Sequence, residues 1–343
     1  MKRFQKLILA VAALTLVFLL WRIDPKAVWG HLAQVGWGMA LILAQEIVAQ
    51  WLNTVGWRYA FARQSCKAYS FWELLKLRIV GDGVNYLTPS ATIAGEFIRA
   101  TSLDDSQSAE VRYGSVVVAK FTQSLAQALF VLLGLFFIIA TASPVARSYP
   151  QLVRGCALTL LAVLGVLSAV GVAAWKRLFP KDVPGGPVAG RDRFSGWLTA
   201  MGDIPRQCLG FCVYDTRRFA ASTGFFMLGY AWGAFEAYWI CRFLGIQATV
   251  QTAMVIEALS NLIDGMTFIV PAKVGTQEAG KTIIFLGLGL PASAGFAFGV
   301  VRHIREVIWA AAGLLLGALP KAVRTGGGIP ITPCATVPGG PSR

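Results

Sequence analysis

Charge is scarce in this chain. Asp, Glu, Lys and Arg make up 14% of its 343 residues, where soluble proteins carry about 25%. Too few charges are present to cover a soluble body of this size, because exposed area grows with mass. Histidine is scarcer still, with only His31 and His303, and neither has the neighbours of a metal site. The cysteines Cys66, Cys156, Cys208, Cys212, Cys241 and Cys334 are scattered and form no CxxC pair. That argues against a zinc site or a disulfide framework and for buried free thiols. There is no P-loop, no HExxH, no G-x-S-x-G elbow and no dinucleotide GxGxxG after a strand. The expectation is a protein without metal or cofactor that is not an enzyme. No basic, aromatic-interleaved segment exists to bind nucleic acid.

What is abundant is apolar surface. Hydrophobic residues make up 56% of the chain and the mean hydropathy is +0.60. The solvent that fits is a bilayer, whose spans need about 20 mostly apolar residues each. Six segments qualify: 4–21, 36–56, 113–140, 152–175, 219–245 and 292–319. Two more apolar regions, 71–100 and 253–290, are interrupted by Gly and Pro. The fold class is therefore all-α: a polytopic integral membrane protein with about six spanning helices and two proline-broken, re-entrant hairpins. The first run follows Lys2, Arg3 and Lys6 and has no small-x-small cleavage site, so it reads as an uncleaved signal anchor.

Lys+Arg number 31 against 17 Asp+Glu, a net +14, and basic residues concentrate in cytoplasmic loops. The N-terminus, the stretch holding Arg58, Arg63, Lys67, Lys76 and Arg78, the 176–218 loop, and Lys321 with Arg324 all fall on one side if the broken regions keep parity. Both termini are then cytoplasmic, in a cell inner membrane. The basic loop at 176–218 divides two membrane halves, 1–175 and 219–324, with the first repeat copy at 36–140 and the second in the latter half. The Gly/Pro-rich tail 325–343 reads as disordered.

An internal repeat is visible at an offset of 182 residues. Asp82-Gly83 falls on Asp264-Gly265, Pro89 on Pro271, Glu96 on Glu278, Arg99 on Lys281, Lys120 on Arg302 and Trp57 on Trp239. The two copies begin on opposite sides of the membrane, which makes the repeat inverted, as in many transporter folds. Region 253–290 is either a re-entrant hairpin or two full crossings.

These residues need a physical reason. Irregular backbone inside hydrocarbon survives only within protein or beside water. Pro89 and Pro271 each stop an arriving helix, and Gly95 and Gly275 allow another backbone to come close. The helix restarting after each break offers amide groups to an anion such as a phosphate. Glu96 has Arg99, and Glu278 has Lys281, three residues on along the same face. Each ionisable group at membrane depth costs about 2.5–3.5 kcal/mol or more and is functional by default; the alternative is a neutral clasp closing the hairpin. Arg99 and Lys281 either join such a site or snorkel to headgroups. Arg302, His303, Arg305 and Glu306 lie mid-span, with Arg302 and Glu306 at i,i+4. Lys120, Gln123, Ser124 and Gln127 give the matching helix a polar face. Two such faces line a shared hydrophilic cavity or simply hydrogen-bond the helices together. Gln45, Glu46, Gln50, Asn53 and Glu236 are further candidates for its wall. Most tryptophans, Trp57 among them, read as interface anchors.

The patterns Asn85-x3-Pro89-x5-Gly95-Glu96-x2-Arg99 and Pro271-x3-Gly275-x2-Glu278 resemble the membrane region of lysylphosphatidylglycerol synthases and the wider flippase-like family. The run 270–280 is most similar to the branch associated with hopanoid biosynthesis. Ala94 stands before Gly95 where the family often has a second glycine. The resemblance implies the lipid-translocating half of such proteins without the aminoacyl-transferase half, and membrane lipids as partners. Together the motif residues and the buried charges of the repeat give the candidate headgroup or translocation residues: Asp82, Asn85, Pro89, Gly95, Glu96, Arg99, Lys120, Asp264, Pro271, Gly275, Glu278, Lys281, Arg302 and Glu306. The competing readings are an accessory protein docking a lipid-biosynthesis enzyme through the 176–218 loop, and a membrane enzyme acting on a lipid headgroup. The sequence leaves the oligomeric state open.

Overall fold

The computed structural model describes residues 33, 35–61, 65–88, 93–104, 107–140, 215–267, 270–273 and 275–318, with isolated positions between 150 and 165 and at 211. The helices that carry the argument are α1 (Gly38–Ala60), α2 (Phe71–Leu87), α3 (Ile93–Ser102), α4 (Ala109–Ala140), α5 (Thr216–Phe243), α6 (Val250–Met266), α7 (Thr276–Gly287) and α8 (Ala292–Ala318). The expected spans 36–56, 113–140, 219–245 and 292–319 correspond to α1, α4, α5 and α8. The stretch Val111–Ile138 of α4 is long and apolar enough to cross a membrane on length and composition. The other three have 23, 28 and 27 residues, about 34–42 Å at 1.5 Å per residue, but carry charge within their length. The expected span 4–21, the loop 176–218 and the tail 325–343 lie outside the described residues, as does most of 152–175.

The two proline-broken regions share one local design. Each opens with a 17-residue helix, α2 or α6, and after an irregular break continues as a shorter one, α3 or α7. In the first, Thr88 leaves the helix in an extended conformation; Pro89 lies outside the described residues. In the second, Pro271 opens a single 3-10 turn to Lys273, and Ala272 and Lys273 both sit in the left-handed region at φ 50° and 53°. Gly275, at φ 74°, forms the N-cap of α7.

The molecule is inside-out by the standards of a soluble protein. Arg78, Arg99, Glu236, Glu257, Lys281 and Arg302 are buried, while Trp37, Trp72, Phe136, Leu228, Ile283 and Leu315 are more than half exposed. That arrangement suits hydrocarbon outside and a polar interior. Helices α2 and α8 cross at backbone contact: a Cβ on Gly313 would lie 2.6 Å from the Ile79 carbonyl oxygen, and one on Gly83 2.9 Å from that of Ala310. Such small-residue contacts let membrane helices approach without a hydrophobic driving force. Between α7 and α8 the same role falls to Gly295 and Gly299. An apolar cluster of Ile42, Ile240, Cys241, Ile256, Phe285 and Phe298 ties α1, α5, α6, α7 and α8 together.

Candidate functional site

Two ionic clusters occupy the interior. In the first, α2 supplies Arg78 and Asp82 one turn apart, bonded at 3.0 Å. Arg99 of α3 bonds Asp82 and, at 2.7 Å, Glu96. Lys120 of α4 stands 3.5 Å from Glu96. Trp57, Val116, Ala119 and Gln123 complete the lining of the crevice around these charges. Glycine makes this packing possible: a Cβ on Gly81 would strike the Arg99 side chain, and one on Gly95 would strike the Gly81 carbonyl. The Gly95 amide donates to Asn85 Oδ1 at 2.7 Å. Asn85 and Gly95 thus fix α3 against α2, and one of the amides expected to be open to an anion is already capped.

The second cluster is larger. Asp264 of α6 accepts from Lys281 of α7 at 3.2 Å and from Lys273 of the 3-10 turn at 3.0 Å. Lys273 also stands 3.5 Å from Glu306 of α8. Arg302 bonds Glu257 of α6 at 2.5 Å and Glu236 of α5 at 3.2 Å. Arg305 bonds Glu46 of α1, lies 3.0 Å from Glu236 and 3.4 Å from Glu306. Glu278, in the first turn of α7, meets His303 Nδ1 at 2.7 Å. Gly233 makes room for the Glu257 carboxylate, which a Cβ there would strike.

The 182-residue register reappears as bonding. Asp82–Arg99 and Asp264–Lys281 are equivalent positions, and both are ion pairs 17 residues apart in sequence. Glu96–Lys120 and Glu278–His303 come close to equivalence, since His303 follows the counterpart of Lys120 by one residue. Trp57 and Trp239 also correspond, and both indole N–H groups are buried without a hydrogen-bond partner among the described residues.

Several sequence expectations are corrected. Arg99 and Lys281 do not snorkel: they are 2% and 0% exposed. Arg78 is not a loop charge facing headgroups but a buried member of the first cluster. The expected pair Glu278–Lys281 is replaced by Glu278–His303 and Lys281–Asp264. The i,i+4 neighbours Arg302 and Glu306 each turn to other partners. Trp57 is not an interface anchor, being 1% exposed. Pro271 opens the turn that carries Lys273 into the cluster.

Sequence reading missed Arg78, Lys273, Glu257, Tyr86, Tyr230 and Asn261. Three of these were visible as patterns. Arg78 and Asp82 are an i,i+4 pair, and Glu257, Asn261 and Asp264 form an i, i+4, i+7 polar stripe on an otherwise apolar helix. Lys273 was not visible, because only the left-handed backbone at 272–273 turns it inward.

The clusters share no ion-pair residue among the described residues, but a run of polar groups leads from Tyr230, beside Gln123 of the first crevice, toward the second cluster. The Tyr230 hydroxyl donates to Gln127 Oε1 at 3.5 Å, Gln127 donates to the Asn261 carbonyl at 3.1 Å, and Asn261 donates to Glu257 Oε1 at 2.8 Å. On the other side the Tyr86 ring stands edge-on to His303, centroids 6.3 Å apart, one turn beyond Asp82 on α2. Buried Tyr86 Oη, Arg99 Nε, Glu236 Oε1, Glu278 Oε2, Arg302 Nε and His303 Nε2 have no hydrogen-bond partner among the described residues. Leaving such atoms unmet costs about 1–3 kcal/mol each, so a polar group or water brought to them would be stabilised.

The left-handed pair Ala272 and Lys273 is held by the ion pairs of Lys273. Left-handed backbone costs a non-glycine residue about 1–2 kcal/mol. Ala272→Gly is therefore expected to raise unfolding stability by about 1 kcal/mol, read as a higher detergent-unfolding midpoint.

A family model, that of the lysylphosphatidylglycerol synthase TM region, matches residues 6–313. No curated protein and no solved structure matches.

Proposed function

Since the chain belongs to the lysylphosphatidylglycerol synthase TM-region family, a membrane family related to lipid metabolism, we propose that it moves a lipid with a polar or anionic headgroup between leaflets. The supporting observation is the pair of buried ionic clusters, with polar side chains between them, inside an apolar-faced bundle. A headgroup needs a path where its charge meets counter-charge, while its acyl chains stay in hydrocarbon. The Asp82–Arg99 and Asp264–Lys281 pairs, with Tyr230, Gln127, Asn261 and Glu257 between them, supply both signs of charge along such a path. Ion pairs of this kind exchange partners: a phosphate takes an Arg or Lys from its carboxylate, and the carboxylate is left to an incoming ammonium or proton. The similarity of residues 270–280 to the hopanoid-associated branch makes a hopanoid-type lipid the first cargo to try, with an aminoacyl-phospholipid second.

The test is leaflet exchange in proteoliposomes, with a fluorescent headgroup-labelled lipid and a membrane-impermeant quencher. The full chain is expected to bring the outer, quenchable fraction of inner-leaflet label up to near completion. Arg99→Gln is expected to slow exchange by about tenfold or more, the loss of one charge-assisted contact. Equal rates in protein-free vesicles, wild type and Arg99→Gln would sink the reading.

A further inference from the structure

The ion pairs of the two clusters do not balance. The first holds Arg78, Arg99 and Lys120 against Asp82 and Glu96. The second holds Lys273, Lys281, Arg302 and Arg305 against Glu46, Glu236, Glu257, Asp264, Glu278 and Glu306. Seven permanent cations thus face eight carboxylates. An unmatched buried charge costs several kcal/mol, and in a membrane interior the least costly remedy is a proton. The geometry says where it sits. Seven of the carboxylates lie within 3.5 Å of an Arg or Lys. Of the eight, Glu278 alone has no Arg or Lys ion pair among the described residues; its partner is His303, at 2.7 Å.

We propose that His303, held against Glu278, is the site of a proton coupled to lipid movement. This rests on the translocation reading and adds its coupling ion. The imidazole takes up one proton from water, so that both ring nitrogens become donors. Nδ1–H then faces Glu278 Oε1, and the count of charges closes at eight against eight. His303 is 7% exposed, so the proton is screened from bulk water until the bundle rearranges. Tyr86 on α2 faces the pair, its ring edge-on to His303; the charged groups on the pair's own helices are Lys281 on α7, itself bonded to Asp264 of α6, and Arg302, Arg305 and Glu306 on α8. When a headgroup phosphate draws Lys281 or Arg302 away from its carboxylate, the phosphate and the freed carboxylate both favour the proton on His303, so proton and lipid cross together, and the proton leaves toward the other side once the phosphate has gone and the cation has returned. One proton enters and one leaves per cycle, with no other group consumed.

Two arms test this. In the first, His31→Gln leaves His303 as the chain's one histidine, and its ring nitrogens are read by 15N NMR in nanodiscs between pH 5 and 9. The expected result is a ring that takes up a second proton in the parent and holds it less tightly in Glu278→Gln. A ring that takes up no second proton over this range, or one indifferent to Glu278→Gln, overturns the proposal. The second arm sets a pH difference of one unit across proteoliposomes and reads the leaflet distribution of labelled lipid at equilibrium. One coupled proton per lipid gives a tenfold leaflet ratio per unit, and His303→Phe abolishes the response. Lipid that equilibrates quickly but stays evenly distributed overturns coupling while leaving translocation intact. No exchange at all defeats the translocation reading, and the proton site is then judged by the first arm.

Discussion

Arg302→Met is expected to destabilise the folded protein by about 3–5 kcal/mol, the cost of stranding a buried counter-charge. Arg302 is 5% exposed and holds two carboxylates, Glu257 at 2.5 Å and Glu236 at 3.2 Å. Glu236 keeps Arg305 at 3.0 Å, but Glu257 is left with only the Asn261 amide. The damage therefore lies with Glu257, and Arg302→Met combined with Glu257→Gln is expected to recover most of the loss, because removing both members of a buried pair is often close to neutral. Reversible unfolding in mixed micelles, run as a double-mutant cycle, reads the coupling directly. A single substitution costing under about 1 kcal/mol, or a double as unstable as the single, would contradict this account of the second cluster.

The repeat yields the second large effect, and it falls on both copies. Asp82 and Asp264 are equivalent positions, each bonded to the basic residue 17 places on. Asp264→Asn takes away the ion-pair partner of Lys281, which is fully buried, and half the support of Lys273. Asp82→Asn leaves Arg99 bonded to Glu96 at 2.7 Å but takes the carboxylate from Arg78, which is 2% exposed. Each substitution therefore strands one buried cation and is expected to cost about 3–5 kcal/mol, and Asp264→Asn is also expected to slow lipid exchange by at least tenfold. A loss under about 1 kcal/mol at either position would mean that the stranded cation has support other than its aspartate.

Much of the interior was legible because charge is so rare in the chain. In a sequence with 14% charged residues, a Glu, Asp, Lys or Arg inside an apolar run marks a place where the fold supplies a partner. That logic found Asp82, Glu96, Arg99, Lys120, Asp264, Glu278, Lys281, Arg302 and Glu306, and the 182-residue register paired Asp82 with Asp264 and Arg99 with Lys281 as counterparts. Partner choice was not legible. Sequence spacing set Glu278 beside Lys281 and Arg302 beside Glu306, since i,i+3 and i,i+4 neighbours face one another on a lone helix. Tertiary packing brings α6 and the 3-10 turn closer, and Lys281 and Glu306 turn to Asp264 and Lys273 instead. Nor did the sequence announce Lys273, because it reaches the cluster only through two consecutive left-handed residues that are not glycine. The helices α1, α4, α5 and α8 were readable from length and hydropathy, whereas Arg78 was assigned to a loop because charge counting cannot tell a buried arginine from a headgroup anchor.

The central claim is that a lipid headgroup passes through the charged interior rather than along the outside of the bundle. A photo-crosslinking headgroup analogue in nanodiscs, followed by mass mapping of the adducts, tests it most directly. The account predicts adducts on Gln127, Tyr230 and Asn261, the polar groups between the two clusters, and their loss in Asp264→Asn. Adducts confined to outward residues such as Trp37 and Trp72, unchanged by that substitution, would contradict it.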